Sequence, residues 1–192
     1  MRLTRLIPTA FAAALFAGSS MVAMAATTTD NATITVGGQP MFAGKDIVDN
    51  AVNSADHTTL VAAVKAAGLV ATLKGPGPFT VFAPTNEAFS ELPAGTVATL
   101  LKPENKATLT KVLTYHVVPG RLDFAALHQM IIKGNGAASL TTVAGEALTA
   151  KMNGPHNIVI EDSKGNVAHI TTYDVTQSNG VIQVIDKVLL PG

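Results

Sequence analysis

The spacing of apolar positions changes period once along the chain, and the change separates a helical front from a stranded back. Ile47, Val48, Ala51 and Val52 fall at i, i+1, i+4 and i+5, which predicts a short helix starting near Asp46. A second helix carries Leu60, Val61, Val64 and Ala67, with Thr58 or Thr59 as its cap and Gly68 as its stop. Leu69 to Leu73 add another turn or two before Gly75-Pro76-Gly77-Pro78 ends regular structure. Phe79 to Ala83 then reads as a short strand with Phe79 and Val81 on one face and Phe82 on the other, so it is expected to be buried from both sides. Pro84 stops it, Thr85 caps a short helix with Ala88, Phe89 and Leu92 turned inward, and a further helix runs from about Thr96 to Leu101. After Pro103, Leu109, Val112, Leu113 and His116 repeat at i, i+3, i+4 and i+7, until Tyr115-His116-Val117-Val118 passes into a strand turned by Pro119-Gly120.

Beyond a helix over Leu122 to Met130 the period becomes two. Ser139 to Val143, Ala147 to Met152, Asn157 to Glu161, Val167 to Thr172 and Val181 to Leu190 read as strands separated by glycine- and asparagine-rich turns. Glu161-Asp162, a carboxylate pair ahead of one such turn, reads as a solvated hairpin end. Helices first and antiparallel hairpins later predict an α+β domain rather than a doubly wound sheet.

The first residues follow a different rule. Arg2 and Arg5 precede an apolar run from Phe11 to Ala17 and then Ala23-Met24-Ala25, the order of a secretory signal, so residues 1–25 read as a removable leader. Residues 26–40, Thr-rich and without apolar period, read as a flexible N-terminal segment ahead of a single domain over 41–191. With Arg2 and Arg5 gone, 13 Lys+Arg become 11 against 13 Asp+Glu, a formal charge of about −2 that gives nucleic acid nothing to bind. The later apolar runs are too short to span a bilayer. With 0 Cys there is no disulfide, thiolate metal site or cysteine nucleophile, and stability must come from packing.

Three stretches carry a family likeness. Gly77-Pro-Phe-Thr-Val-Phe-Ala-Pro-Thr-Asn-Glu-Ala-Phe89 resembles the opening signature of the fasciclin (FAS1) domain. Tyr115-His116-Val117-Val118-Pro119 resembles its central Tyr-His motif, and Asn179-Gly-Val-Ile-Gln-Val-Ile-Asp-Lys-Val-Leu-Leu-Pro191 its closing strand. Three ordered motifs at domain-scale spacing make a specific signal. The resemblance implies a wedge-shaped β-sandwich of about seven strands with helices packed along one side. The closing motif usually holds His where this chain has Gln183, which keeps hydrogen-bonding capacity and loses a titratable ring.

Thr85, Asn86, Tyr115 and His116 are the candidate binding residues. Each has a structural alternative. The Pro84-Thr85-Asn86 turn suits a strand stop and helix cap, and its other use is to present amide groups to a partner. His116 lies in an apolar stretch where a hydrogen-bonded core histidine is the ordinary finding, while the resemblance ties the Tyr-His region to partner binding. The five histidines, His57, His116, His128, His156 and His169, lack close ligand spacing, and no Gly-x-Ser-x-Gly elbow or phosphate loop occurs. The expectation is therefore a secreted, periplasmic or extracellular, non-catalytic protein without cofactor. The fasciclin resemblance implies that it mediates adhesion or binds a protein or a surface or matrix component. The alternative, also drawn from the resemblance, is a carrier of a small apolar ligand, a carotenoid or lipid, held between sheet and helices.

Overall fold

The computed structural model describes residues 32–192; the leader assigned to residues 1–25 lies outside them. The described residues open with a hairpin, β1 (Ala32–Val36) and β2 (Gln39–Phe42), although residues 26–40 read as a flexible lead-in. Ile34, Thr35 and Val36 favour a pleated backbone, and Gly37 and Gly38, both at positive φ, make the two-residue turn whose twist suits a hairpin. Val36 and Met41 are buried by it.

Helices follow: α1 (Ile47–Ala51), α2 (Thr58–Ala67) after a 3-10 turn at Ala55–His57, and α3 (Val70–Leu73). Asp46 caps α1 by accepting from the Asp49 N–H, and Gly68 ends α2 in the left-handed conformation. Next come β3 (Phe79–Pro84), α4 (Asn86–Ser90), α5 (Thr96–Leu100) and α6 (Lys106–Tyr115). Then come β4 (Val117–Pro119) and α7 (Phe124–Lys133), the latter shifted from the expected span because Asp123, accepting from the Ala126 N–H, sets its start. Five strands close the chain: β5 (Ala137–Thr141), β6 (Ala147–Met152), β7 (Ile158–Glu161), β8 (Val167–Gln177) and β9 (Gly180–Ile185).

The seven strands after the hairpin form one mixed sheet in the order β4-β3-β9-β8-β7-β6-β5. Strands β5 to β9 are the antiparallel run that the alternation predicts, and β3 lies parallel to β9 from Phe79↔Gly180 to Pro84↔Ile185. Strand β8 runs past its expected end at Thr172 through a bulge between Thr172 and Val175, where Asp174 has φ 59. The sheet folds over until the two ends meet, with the Val143 N–H donating to the Val117 carbonyl at 2.8 Å. Its concave face holds one core, including Phe82, Tyr115, Leu127, Leu148, Ile160 and Ile185. The opposite face of β3 and β9 holds the other, with Val81, Ala83, Ile182 and Val184 against helices bearing Leu60, Val64, Leu109 and Leu113. This is the α+β sandwich with helices along one side.

Strand β9 stops at Ile185 rather than Leu190. Past it, the tail amides take side-chain acceptors in place of a ladder: the Leu189 N–H donates to His116 Nε2 at 2.9 Å and the Leu190 N–H to Asp162 Oδ2 at 3.0 Å. Asp162 is thus a buried tie, not a solvated hairpin end, and also accepts from the Lys164 and Asn166 N–H groups. Burial pushes its pKa up, but the hydrogen bonds from Asn166, Leu190 and Lys164 outweigh it and hold the carboxyl below the ordinary value.

One buried amide fastens the N-terminal hairpin to the sheet. Asn50 accepts from the Phe42 N–H at 3.1 Å, donates to the Phe42 carbonyl at 2.7 Å and donates to Gln177 Oε1. Asn50→Ala leaves these partners buried and unpaired, and should lower unfolding free energy by about 2 kcal/mol in denaturant titrations. Amide exchange should accelerate first in β1 and β2.

Candidate functional site

Thr85 and Asn86 follow directly from the end of β3. Thr85 caps α4, accepting from the Ala88 N–H at 3.2 Å. Asn86 reaches to a different helix: its Oδ1 accepts from the Thr59 N–H at 3.0 Å and the Thr58 hydroxyl at 3.1 Å, and its Nδ2 donates to the Ala55 carbonyl at 2.8 Å. Neither Thr58 nor Thr59 caps α2, because the acceptor comes from a residue 27 positions along the chain. The turn that reads as a possible partner contact also clamps β3 to the start of α2.

Tyr115 and His116 sit where α6 turns into β4, and both are buried. The Tyr115 hydroxyl donates to the Ala147 carbonyl at 3.1 Å and accepts from the Ser163 N–H at 2.9 Å, tying α6 to β6 and to the turn after β7. Since His116 Nε2 accepts from the Leu189 N–H, its proton is on Nδ1, which donates to the Val112 carbonyl at 2.8 Å. Burial drives this imidazole down to about 4, opposed by the Val112 carbonyl and by Asp162. It is a neutral core strut at physiological pH.

Gln183 is also fully buried, on β9 beside the bulge. Its Nε2 donates to the Leu122 carbonyl at 3.0 Å and to Asp174 Oδ1 at 2.9 Å, while Oε1 accepts from the Asp174 N–H at 3.1 Å. Asp174 Oδ1 in turn accepts from the Phe124 N–H at the start of α7. A neutral histidine offers one donor and one acceptor, so glutamine supplies a donation that an imidazole in this place lacks. Asn179, at the head of the closing motif, accepts from the Ile47 N–H at 3.0 Å and donates to the Leu73 carbonyl at 2.7 Å. The glycines beside it permit close approach: a Cβ on Gly180 would stand 2.1 Å from the Phe79 carbonyl oxygen, and one on Gly77 would stand 1.9 Å from that of Asn179.

Residues 55–191 match the family model described as the fasciclin domain. The chain belongs to the fasciclin domain family. This fasciclin domain is 46% identical over 176 residues to protein sll1483 of Synechocystis sp., covering 91% of this chain and 89% of the relative. It is 36% identical over 146 residues to the immunogenic protein MPB70 of Mycobacterium bovis, covering 73% and 66% of the two chains. Among solved structures it resembles a FAS1 domain pair from the insect cell adhesion molecule Fasciclin I, with TM-score 0.67, 16% identity and coverage of 76% of this chain and 51% of that one. At that identity the likeness concerns the fold alone.

The fasciclin motifs thus converge in space, but on each other. The structure brings Thr85 and Asn86 to the foot of α2 and buries Tyr115 and His116 on the far side of the sheet. A pocket of about 120 Å³ is lined by Asp56, Thr85, Asn86 and Glu87, and a cavity of about 240 Å³ lies between α1, α2, the N-terminal hairpin and the sheet, lined by Met41, Val48, Leu60, Val64, Ile182 and His57 among others. His57 is the residue that the sequence reading passed over. It was one of five scattered histidines, and only its position under the helices distinguishes it. Among the described residues no group of three or more His, Asp or Glu stands close enough to hold a metal ion.

Two measurements check the structural roles. Asn86→Ala should cost about 1–2 kcal/mol of stability, the loss of a helix cap, seen as a lower denaturation midpoint. For His116 the folded pKa lies below the unfolded one, so the stabilisation is complete above pH 6.5 and is lost as pH falls toward about 4. The gap corresponds to about 3 kcal/mol. Unfolding free energy measured from pH 7 to pH 4 should fall by that order, and more shallowly in His116→Gln.

Proposed function

We propose that this fasciclin domain is exported behind a leader cleaved after Ala25 and acts without catalysis, as an interaction module for a protein or a cell-surface or matrix component. The family match over residues 55–191 supports this reading. The observation that carries it is the inward turn of the motif side chains: Tyr115, His116 and Gln183 are enclosed in the fold, so partner contact falls to the outer surface. No helix among the described residues is long and apolar enough to cross a membrane.

On that surface Ile132 on α7 and Val143 after β5 are large apolar side chains left 56% and 45% exposed. With few net charges, binding through them depends on apolar burial more than on charge. A second reading, carriage of a small apolar ligand, is favoured by the cavity that His57 and Val64 line.

The exported protein should have Ala26 as its first residue by intact mass. Immobilised protein should retain a component from surface or matrix fractions with affinity that changes less than about tenfold between low and moderate salt. Ile132→Asp with Val143→Asp should abolish retention without moving the Tm. A collapse of retention with modest salt, or retention indifferent to the double variant, contradicts the proposed surface.

A further inference from the structure

Among the described residues three asparagines precede a glycine, Asn135-Gly136, Asn153-Gly154 and Asn179-Gly180, and the fold treats them differently. Such a pair is chemically labile, because without a Cβ on the second residue its backbone nitrogen can reach and attack the asparagine side-chain carbonyl carbon. Three conditions govern that attack. The side-chain amide must be free to rotate, the glycine N–H must not be held by a carbonyl, and water must reach the site.

Asn179 does not meet the first or the third. Its Oδ1 accepts from the Ile47 N–H at 3.0 Å, its Nδ2 donates to the Leu73 and Gly75 carbonyls at 2.7 Å and 3.2 Å, and Gly180 is buried in the pairing of β9 with β3. Asn135 does not meet the second. It is exposed beyond the end of α7, but the Gly136 N–H donates to the Ile131 carbonyl at 2.9 Å, one of the bonds that finish the helix. Ring closure at Asn135 must first break that bond.

Asn153 meets all three. It begins the turn over residues 153–157, between Met152 and Ile158, which pair across β6 and β7, and every residue of the turn is exposed. The Asn153 N–H donates to the Asn157 carbonyl at 2.7 Å and closes the neck of the turn. Beyond that bond, the Asn153 side chain and the Gly154 N–H have no hydrogen-bond partner among the described residues. Pro155 follows without an N–H that could tighten the loop.

We propose that Asn153 is a site of spontaneous covalent modification, deamidating through a cyclic imide while the fold holds Asn135 and Asn179 back. The Gly154 nitrogen loses its proton to hydroxide and bonds to Asn153 Cγ; the bond from Cγ to the side-chain nitrogen breaks, and that nitrogen takes up a proton and leaves as ammonia. Water then opens the imide. Addition at Cγ restores the main chain with aspartate at position 153, and addition at the main-chain carbonyl carbon gives isoaspartate, which lengthens the backbone of the turn by one carbon. One water enters, one ammonia leaves, and nothing is oxidised or reduced. Either product adds a negative charge to the hairpin that carries the Lys151–Glu161 ion pair. The assignment is independent of the surface interaction proposed above.

The test is to hold the purified protein in warm, mildly alkaline buffer, folded or unfolded in urea, and follow each asparagine by peptide mass spectrometry. In the folded protein Asn153 should convert about tenfold faster than Asn135, the factor that one hydrogen bond supplies, and Asn179 should stay unchanged. In urea the three should convert at similar rates. Isoaspartate and aspartate should both appear at position 153, and the rate should rise with pH because the attacking nitrogen must be deprotonated. Asn153→Gln should remove the first acidic species seen on anion exchange without moving the Tm, and Asn153→Asp should elute with the aspartate product. A folded-state rate at Asn153 no greater than at Asn135 or Asn179, or an undiminished acidic species in Asn153→Gln, overturns the site. The same ratio of rates in urea as in the folded protein overturns the selection by the fold.

Discussion

The parallel pairing of β3 with β9 is the interaction on which the rest of this molecule depends. It joins Phe79–Pro84 to Gly180–Ile185, segments a hundred positions apart, and places them at the centre of one half of the sheet. Alternate residues then serve different cores: Phe82 and Ile185 face the strands that fold over them, while Val81, Ala83, Ile182 and Val184 face the helices. The pairing requires close backbone approach at its start, which is why Gly77 and Gly180 stand beside Asn179 and Phe79. A slip of one residue would exchange the two faces and defeat both cores together.

Around that centre, buried polar side chains satisfy the backbone wherever a ladder or helix cannot. His116 and Asp162 take the amides of the tail beyond β9, Asn86 takes the amide at the start of α2, and Gln183 with Asp174 supports the bulge and the entrance to α7. Such groups stabilise little on a simple count, yet losing one leaves its partner stranded in a low-dielectric interior. The residues that most resemble a family signature are therefore explained by architecture.

Incompleteness is found at one edge of the helical core. The hairpin and α1 close over α2 and the sheet without filling the space between them. Close packing is the norm for protein interiors, and this space, bordered by exposed Val52, departs from it.

Much of this was legible in the sequence because it is local. The 3.6-residue and two-residue periods located most helices and strands, Thr85 and Gly68 announced their caps, and three ordered motifs identified the family before any coordinates. The hairpin over residues 32–42 was missed because a Thr-rich strand with few apolar positions has little period to detect. The long β8 was missed because a bulge breaks alternation at Asp174. What only the tertiary structure decided is the fate of individual polar side chains. Asn86, Asp162, His116 and His57 are similar in sequence terms, polar residues beside apolar runs, yet Asn86 reaches the start of α2, Asp162 and His116 take the amides of the tail, and His57 pairs with the Ser54 hydroxyl. The long-range partners of Asn86, Asp162 and His116 lie 27, 28 and 73 residues away. Local spacing carries no information about which distant amide or carbonyl folding will bring within reach.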